Sequence, residues 1–299
     1  MPPLIIPPVG LSGVTQISWM DPTLTERDLT YLTSPNLFMA AESVGLGGVT
    51  IEVAASKIPF ASGDLARHLA VQAKRLEIPL FVRDDTFGDL MVTMRAVRTW
   101  FRTGDERRRT PGYLIVTTPD SQTRWLQCYY TGGLETPAKR GPNWAMYVVS
   151  LYAPDPYPRD PNPTLLSWDT GDIPGQIIVM NTGDLDAYPI WTVTGPAAAI
   201  QYTYVTPDPD EAFDLGLDGG LTLAGGESVT IDTRPDFLRG GALQVRDQDG
   251  DSLYNHVDPN SSFFWLVPGE NRVNWTWSGT SGATELSLQY FRRFDGLLY

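Results

Sequence analysis

The sequence contains one cysteine, Cys128, which excludes an internal disulfide and a thiolate zinc cluster and suits a reducing compartment. Its two histidines, His68 and His256, come with no motif that pairs a base with a serine or cysteine nucleophile. No apolar run approaches the roughly 18 residues of a membrane span, so no membrane insertion is expected. The opening MPPLIIPPVG lacks the charged start and unbroken apolar core of a signal peptide, which points to a soluble protein made in the cytoplasm and not exported by that route. There is no GxSxG elbow, Walker A loop or HExxH. Gly45, Gly47 and Gly48 in VGLGGV have the wrong spacing for a dinucleotide fingerprint and read as a flexible loop. No catalytic residue, no cofactor and no enzyme activity are expected.

Positive charge is scarce and unevenly placed. Residues 1–160 hold 16 of the 22 Lys+Arg and 16 of the 35 Asp+Glu, whereas residues 161–299 hold 6 and 19, so the whole net charge of -13 lies in the second half. An acidic surface repels phosphates, which argues against specific nucleic-acid binding there. The change of surface coincides with APDPYPRDPNP at 153–163, where five prolines fall in eleven residues. Proline has no amide proton and holds its preceding residue extended, so neither a helix nor an interior strand runs through this stretch. It reads as a stiff linker over 153–166 between an N-terminal domain, 1–152, and a C-terminal domain, 167–299. An ordered surface loop inside one domain is the alternative.

The N-terminal half mixes helices with strands. Leu65, Leu69, Ala73 and Leu76 recur at helical spacing after Ser62 and Asp64, predicting a helix over 64–77. Thr86 with Asp89 resembles a capping box, and Leu90, Met94, Val97 and Phe101 form the apolar stripe of a second helix. Strands are predicted in IPLFVR, YLIVT, RWLQCYY and MYVVSLY, mainly antiparallel. In RWLQCYY, Leu126, Cys128 and Tyr130 share a face, making Cys128 a buried core thiol rather than a nucleophile. The C-terminal half reads as short strands: GQIIVMN, PIWTVTG, IQYTY, ESVTID, GALQV, SFFWL, RVNWTW and TELSLQYFRR. Val273, Trp275 and Trp277 alternate with polar neighbours, as do Leu286, Leu288 and Tyr290. About eight such strands argue for a two-sheet sandwich. Asp218-Gly219-Gly220 and Asp249-Gly250 supply tight turns. The fold class is therefore mainly β with a small α+β part.

Three constellations invite a functional reading. Asp247, Asp249 and Asp251 in RDQDGDS, with Asp258 beyond, imitate calcium ligands, but Ser252 stands where an EF-hand loop needs glycine, and a solvated hairpin is preferred. Arg95, Arg98 and Arg102 on the second helix lead into Arg107, Arg108 and Arg109. A face that meets carboxylates of a neighbouring copy is preferred over nucleic-acid binding, because the domain around them is neutral. Trp275 and Trp277 can stack on a sugar, although their shared strand face makes core packing the default.

The succession PGYLIVTTPDSQTRWLQCYYTGGLE at 111–135 and VSLYAPDPYPRDP at 149–161 resembles the end of the N-terminal domain in distal tail proteins of long-tailed, non-contractile bacteriophages. NTGDLDAYPIWTVTGPA, SVTIDTRP, SSFFWLVPGENRVNW and LSLQYFRRF follow in the order of that family's C-terminal domain. The likeness runs from about Ile78 to Phe294, with residues 1–60 matching only loosely, and Pro158 stands where many relatives carry an aromatic residue. The resemblance implies an N-terminal split-barrel-like belt domain that assembles six copies into a ring, and a galectin-like C-terminal β-sandwich. It implies a virion tail-tip protein assembled in the host cytoplasm. Its partners would be itself, the tail tube protein, the hub or tail-associated protein, the tape-measure protein and receptor-binding proteins. A host-adhesion module that binds carbohydrate through the sandwich is the other reading.

Overall fold

A computed structural model describes residues 16–30, 37–39, 43–57, 64–101, 110–118, 121–170, 175–205, 212–215, 220–239 and 241–298. The chain is mainly β and divides into two compact units, one of Met1–Pro161 with Phe294–Tyr299 and one of Asn162–Arg293.

The first unit runs β1 (Gln16–Met20), β2 (Glu26–Asp28), β3 (Leu37–Met39), β4 (Ile51–Lys57), β5 (Asp64–Val71), β6 (Lys74–Arg83), α1 (Phe87–Phe101), β7 (Gly112–Thr117), β8 (Thr123–Gly132), β9 (Lys139–Arg140) and β10 (Trp144–Ala153). An eight-stranded sheet has the order β2-β1-β7-β8-β10-β6-β3, with β9 on β10, while β4 and β5 form a separate pair. Strand β8 serves two partners in turn. Its first part pairs with β7 through Cys128, and from Tyr129 it pairs with β10, whose register breaks between Ser150 and Leu151. Such a hand-over lets one strand turn from one half of a sheet into the other.

The helix predicted over 64–77 is absent; the segment is β5 and the start of β6. Leu76 belongs to a strict alternation in which Leu76, Ile78, Leu80 and Val82 are all buried, while Arg75, Glu77 and Arg83 are exposed. Ten residues of period two paired along β10 outweigh a helical spacing that rested on four positions. The second helix forms as expected, with Leu90, Val97 and Phe101 buried and Met94 packed against the same core. Phe101 stacks on Trp19 of β1 at 4.9 Å, which fixes α1 against the sheet.

The second unit runs β11 (Thr164–Asp169), β12 (Gly175–Asn181), β13 (Ile190–Thr194), β14 (Ala197–Tyr204), β15 (Ala212–Leu215), β16 (Thr222–Leu223), β17 (Ser228–Asp232), α2 (Asp236–Arg239), β18 (Val245–Asp247), β19 (Gly269–Ser278) and β20 (Glu285–Tyr290). Two sheets of five strands have the orders β11-β20-β13-β17-β18 and β12-β19-β14-β15, with β16 on β14. They share one core. Trp191 of β13 meets Tyr202 of β14 at 5.9 Å and Trp275 of β19 at 5.3 Å, and Trp275 stacks on Tyr202 at 4.6 Å. This is the sandwich the alternation predicts.

Two predicted strands do not form. Of GALQV only Val245 enters a strand, and SFFWL joins the structure through a single bridge between Leu266 and Ala187. In SFFWL the burial of Phe264 and Leu266 holds the segment without a ladder, so apolar content misleads there. Strand β11, which follows the prolines directly, was not anticipated. Gly250 has φ +90°, as its turn requires, whereas Asp218 and Gly219 lie outside the described residues.

Candidate assembly surfaces

Helix α1 presents one face to the core and one to the outside. Its start is the predicted capping pair: the Asp89 amide donates to Thr86 Oγ1 at 3.2 Å, and that hydroxyl donates to the Asp89 carboxylate at 2.7 Å. On the outer face Phe87 and Val92 are 60% and 63% exposed, with Arg95 exposed between the last turns. Arg98 does something else. Its Nε donates to the Leu134 carbonyl at 2.7 Å and its Nη2 to that of Glu135 at 2.9 Å. Glu135 in turn accepts from the Tyr130 hydroxyl at 3.0 Å and the Gly133 amide at 2.8 Å. Burial pushes the Tyr130 hydroxyl up to about 12, and backbone amides of Glu135 and Gly133 hold the Glu135 carboxyl below its usual range. Gly133 has φ +103°, and a side chain there would meet the Val148 carbonyl at 1.8 Å. The TGGLE turn is thus a clasp that Arg98 closes onto the helix. Arg102, Arg107, Arg108 and Arg109 lie outside the described residues. Of the six arginines, the structure leaves Arg95 exposed on the surface and engages Arg98 within the unit.

A second polar structure was missed in the sequence. The C-terminal residues return to the first unit, where Leu297 is fully buried and its amide donates to the Leu46 carbonyl at 3.3 Å. Arg124, itself buried, donates to the Gly296 carbonyl at 2.7 Å and lies 4.3 Å from the Phe294 ring centroid. The proline-rich stretch takes part. Arg159 and Trp125 exchange backbone hydrogen bonds at 2.8 and 2.9 Å, and buried Pro158 accepts the Phe294 amide at 2.9 Å. Pro158 therefore packs within this unit.

Nearby, the VGLGGV loop is shaped by tight contact: Gly45 has φ +90°, and a Cβ there would lie 2.4 Å from the Arg75 carbonyl. Its Gly47 carbonyl accepts from the buried Lys74 ammonium. Burial draws the Lys74 pKa down, and Asp295 opposes that shift. A groove of about 820 Å³ opens beside them, lined among others by Val44, Gln72, Lys74 and Tyr152.

The remaining sequence candidates resolve into structure. Cys128 is buried, and burial pushes its thiol up to about 12, too high for a nucleophile at neutral pH. Asp247 accepts from the amides of Asp249 at 3.0 Å and Asp251 at 2.8 Å, so its carboxylate closes its own turn. Among the described residues no group of three or more His, Cys, Asp or Glu is arranged to hold a metal. His68 lies on β5 in the first unit and His256 in a short turn of the second. Trp275 is buried and the partly exposed Trp277 packs against the same core, as their shared strand face predicts.

No family model matches the chain, and no curated protein matches it in sequence. Solved structures do match its fold. The Dit protein of phage SPP1, described as a paradigm of the hub adsorption apparatus in phages that infect Gram-positive hosts, superposes with a TM-score of 0.67 at 16% identity, covering 93% of this chain and 99% of that one. A chain of the phage p2 baseplate in its activated conformation superposes with a TM-score of 0.51 at 8% identity, covering 94% and 99%. Over nearly its whole length, the chain has the fold of a phage Dit hub protein, as its sequence resemblance to distal tail proteins implies.

Proposed function

We propose that the protein is a non-catalytic structural component of a phage tail tip. The first unit is a belt that closes six copies into a ring. That ring joins the tail tube to the hub or tail-associated protein and leaves a channel for the genome and the tape-measure protein. The second unit, a galectin-like sandwich, anchors receptor-binding proteins. The observation that carries this reading is the superposition of both units in one chain on SPP1 Dit, 99% of which is covered.

The charge distribution supports it. The first unit carries 16 Lys+Arg and 17 Asp+Glu, and the second 6 and 18. A near-neutral surface can be buried between copies at little electrostatic cost, and heterologous contacts close into a ring when the rotation permits. Six strongly acidic sandwiches repel one another, which favours spreading them around the periphery. Arg95, exposed beside Phe87 and Val92, is our first candidate for the contact between copies. Native mass measurement on the full chain, alone and with its tail tube protein, tests the reading. A hexamer or two stacked hexamers is expected, with Arg95→Glu shifting the protein toward monomer. A chain that stays monomeric in both conditions would overturn the ring.

A further inference from the structure

A sheet edge exposes unpaired N–H and C=O groups, and folded proteins guard such edges with short strands, charges, proline or bulges. Nearly every edge strand described here is guarded. Strands β2, β3 and β18 have three residues each, and Glu26, Arg27 and Asp28 make β2 wholly charged. Strand β15 has four residues with Asp214 among them. Strand β11 follows Pro161 and Pro163 and ends in Asp169. In the β4 and β5 pair, Glu52 supplies charge, and the register breaks between Ala54 and Ala55.

Strand β12, GQIIVMN, has none of these devices. It is seven residues long, uncharged and free of proline, and it pairs with β19 in one unbroken register from Gly175↔Trp275 to Asn181↔Gly269. Among the described residues no strand lies on its other side. Outward-facing Ile178 and Met180 are 54% and 50% exposed. Among the described residues, a Cβ built on Gly175 or on Gly269 would meet nothing within 4 Å. The Tyr290 hydroxyl donates to the Met180 carbonyl at 2.8 Å and the Asn271 side-chain amide to the Val179 carbonyl at 3.3 Å, which limits the open carbonyls to Gln176–Ile178.

We infer that β12 is a docking edge that takes up an extended, net-cationic segment of another protein as an added strand. Backbone hydrogen bonds would supply the affinity, and Ile178 with Met180 would receive alternate apolar side chains. Charge selects the occupant. The unit holds 18 acidic against 6 basic residues, so a second copy meets like charge while a lysine-bearing segment meets opposite charge. Beside the edge, Arg272 and Glu270 of β19 are already paired with each other at 2.6 Å, leaving the strip itself neutral.

The test uses the full chain and a synthetic peptide of alternating threonine and valine with a lysine at each end, read by amide hydrogen exchange. At millimolar peptide, exchange over Gln176–Val179 should slow about tenfold. A glutamate-ended version of the peptide should protect several-fold less. Ile178→Lys, at a side chain already half exposed, should abolish protection while leaving the melting temperature unchanged. The proposal is overturned by absence of protection, by equal protection in Ile178→Lys, or by equal protection from the glutamate-ended peptide. Protection that appears without peptide and grows with protein concentration would assign the edge to a second copy instead. Ring formation is read separately, so failure of one proposal leaves the other standing.

Discussion

The two units reach a closed core by different means. The first packs one helix onto one face of a sheet, ties that helix through Arg98 to the Leu134 and Glu135 carbonyls, and completes itself with residues from the far end of the chain, held by Arg124 through the Gly296 carbonyl. The second has buried polar ties of its own, from Asn181 and Asn271 to backbone carbonyls, but its two sheets close over Trp191, Tyr202, Phe264 and Trp275, whose rings touch one another. Polar ties need every partner in place, whereas ring packing tolerates local adjustment but loses much when one ring is removed. The surfaces differ as well, one near neutral and one strongly acidic. The proposed ring, in which copies of the first unit cover one another and the second units stay dispersed, calls for such surfaces.

The sharpest way to break this comparison is Trp275→Ala, which removes the ring that joins both sheets. It should lower the stability of the second unit by about 3–5 kcal/mol. Calorimetry should show that unit's transition fall while the first unit's transition stays in place. A shared shift would show that the two are not energetically independent. Next comes Leu297→Ala, expected to cost the first unit about 2–5 kcal/mol because Leu297 is fully buried in its core. Loss confined to the second unit's transition would place the C-terminal residues in the wrong core.

The smallest effect is alkaline and belongs to the first unit alone. Cys128 titrates at about 12 when folded against 9.0 ordinarily, so its contribution is complete below pH 9. As pH rises from 9 toward 12 the unfolded chain loses this proton and the folded chain keeps it, so stability falls, on the order of 1 kcal/mol by pH 10. Denaturant titration at pH 8 and 10 on the parent and Cys128→Ala measures the slope, which the variant should reduce. An unchanged slope would mean that the thiol titrates normally.

Much of the second unit was legible because its strands obey a local rule. Val273 and Trp275 are buried while Arg272 and Thr276 are exposed, as period two requires. Helix α1 was legible for the same kind of reason, a cap at Thr86 directly before a stripe that runs to Phe101. The segment 64–77 was misread because its apolar spacing suited a helix, while pairing with β4 and β10, which no local window contains, set its conformation. Of the candidate surface, the capping pair and the arginine row were visible. The engagement of Arg98 was not, because its partners Leu134 and Glu135 lie 36 and 37 residues away.

The amino-acid sequence by itself determined the mainly β character, the acidic second half, the buried thiol and the helix with its cap, since each depends on composition or on neighbours a few residues apart. Tertiary structure alone decided that Arg124 meets Gly296 across 172 positions, that Leu297 completes the first core, and that among the described residues β12 is left as an edge strand. Those outcomes depend on which strands end side by side, and strand order is set by the sum of long-range packing rather than by any short stretch of chain.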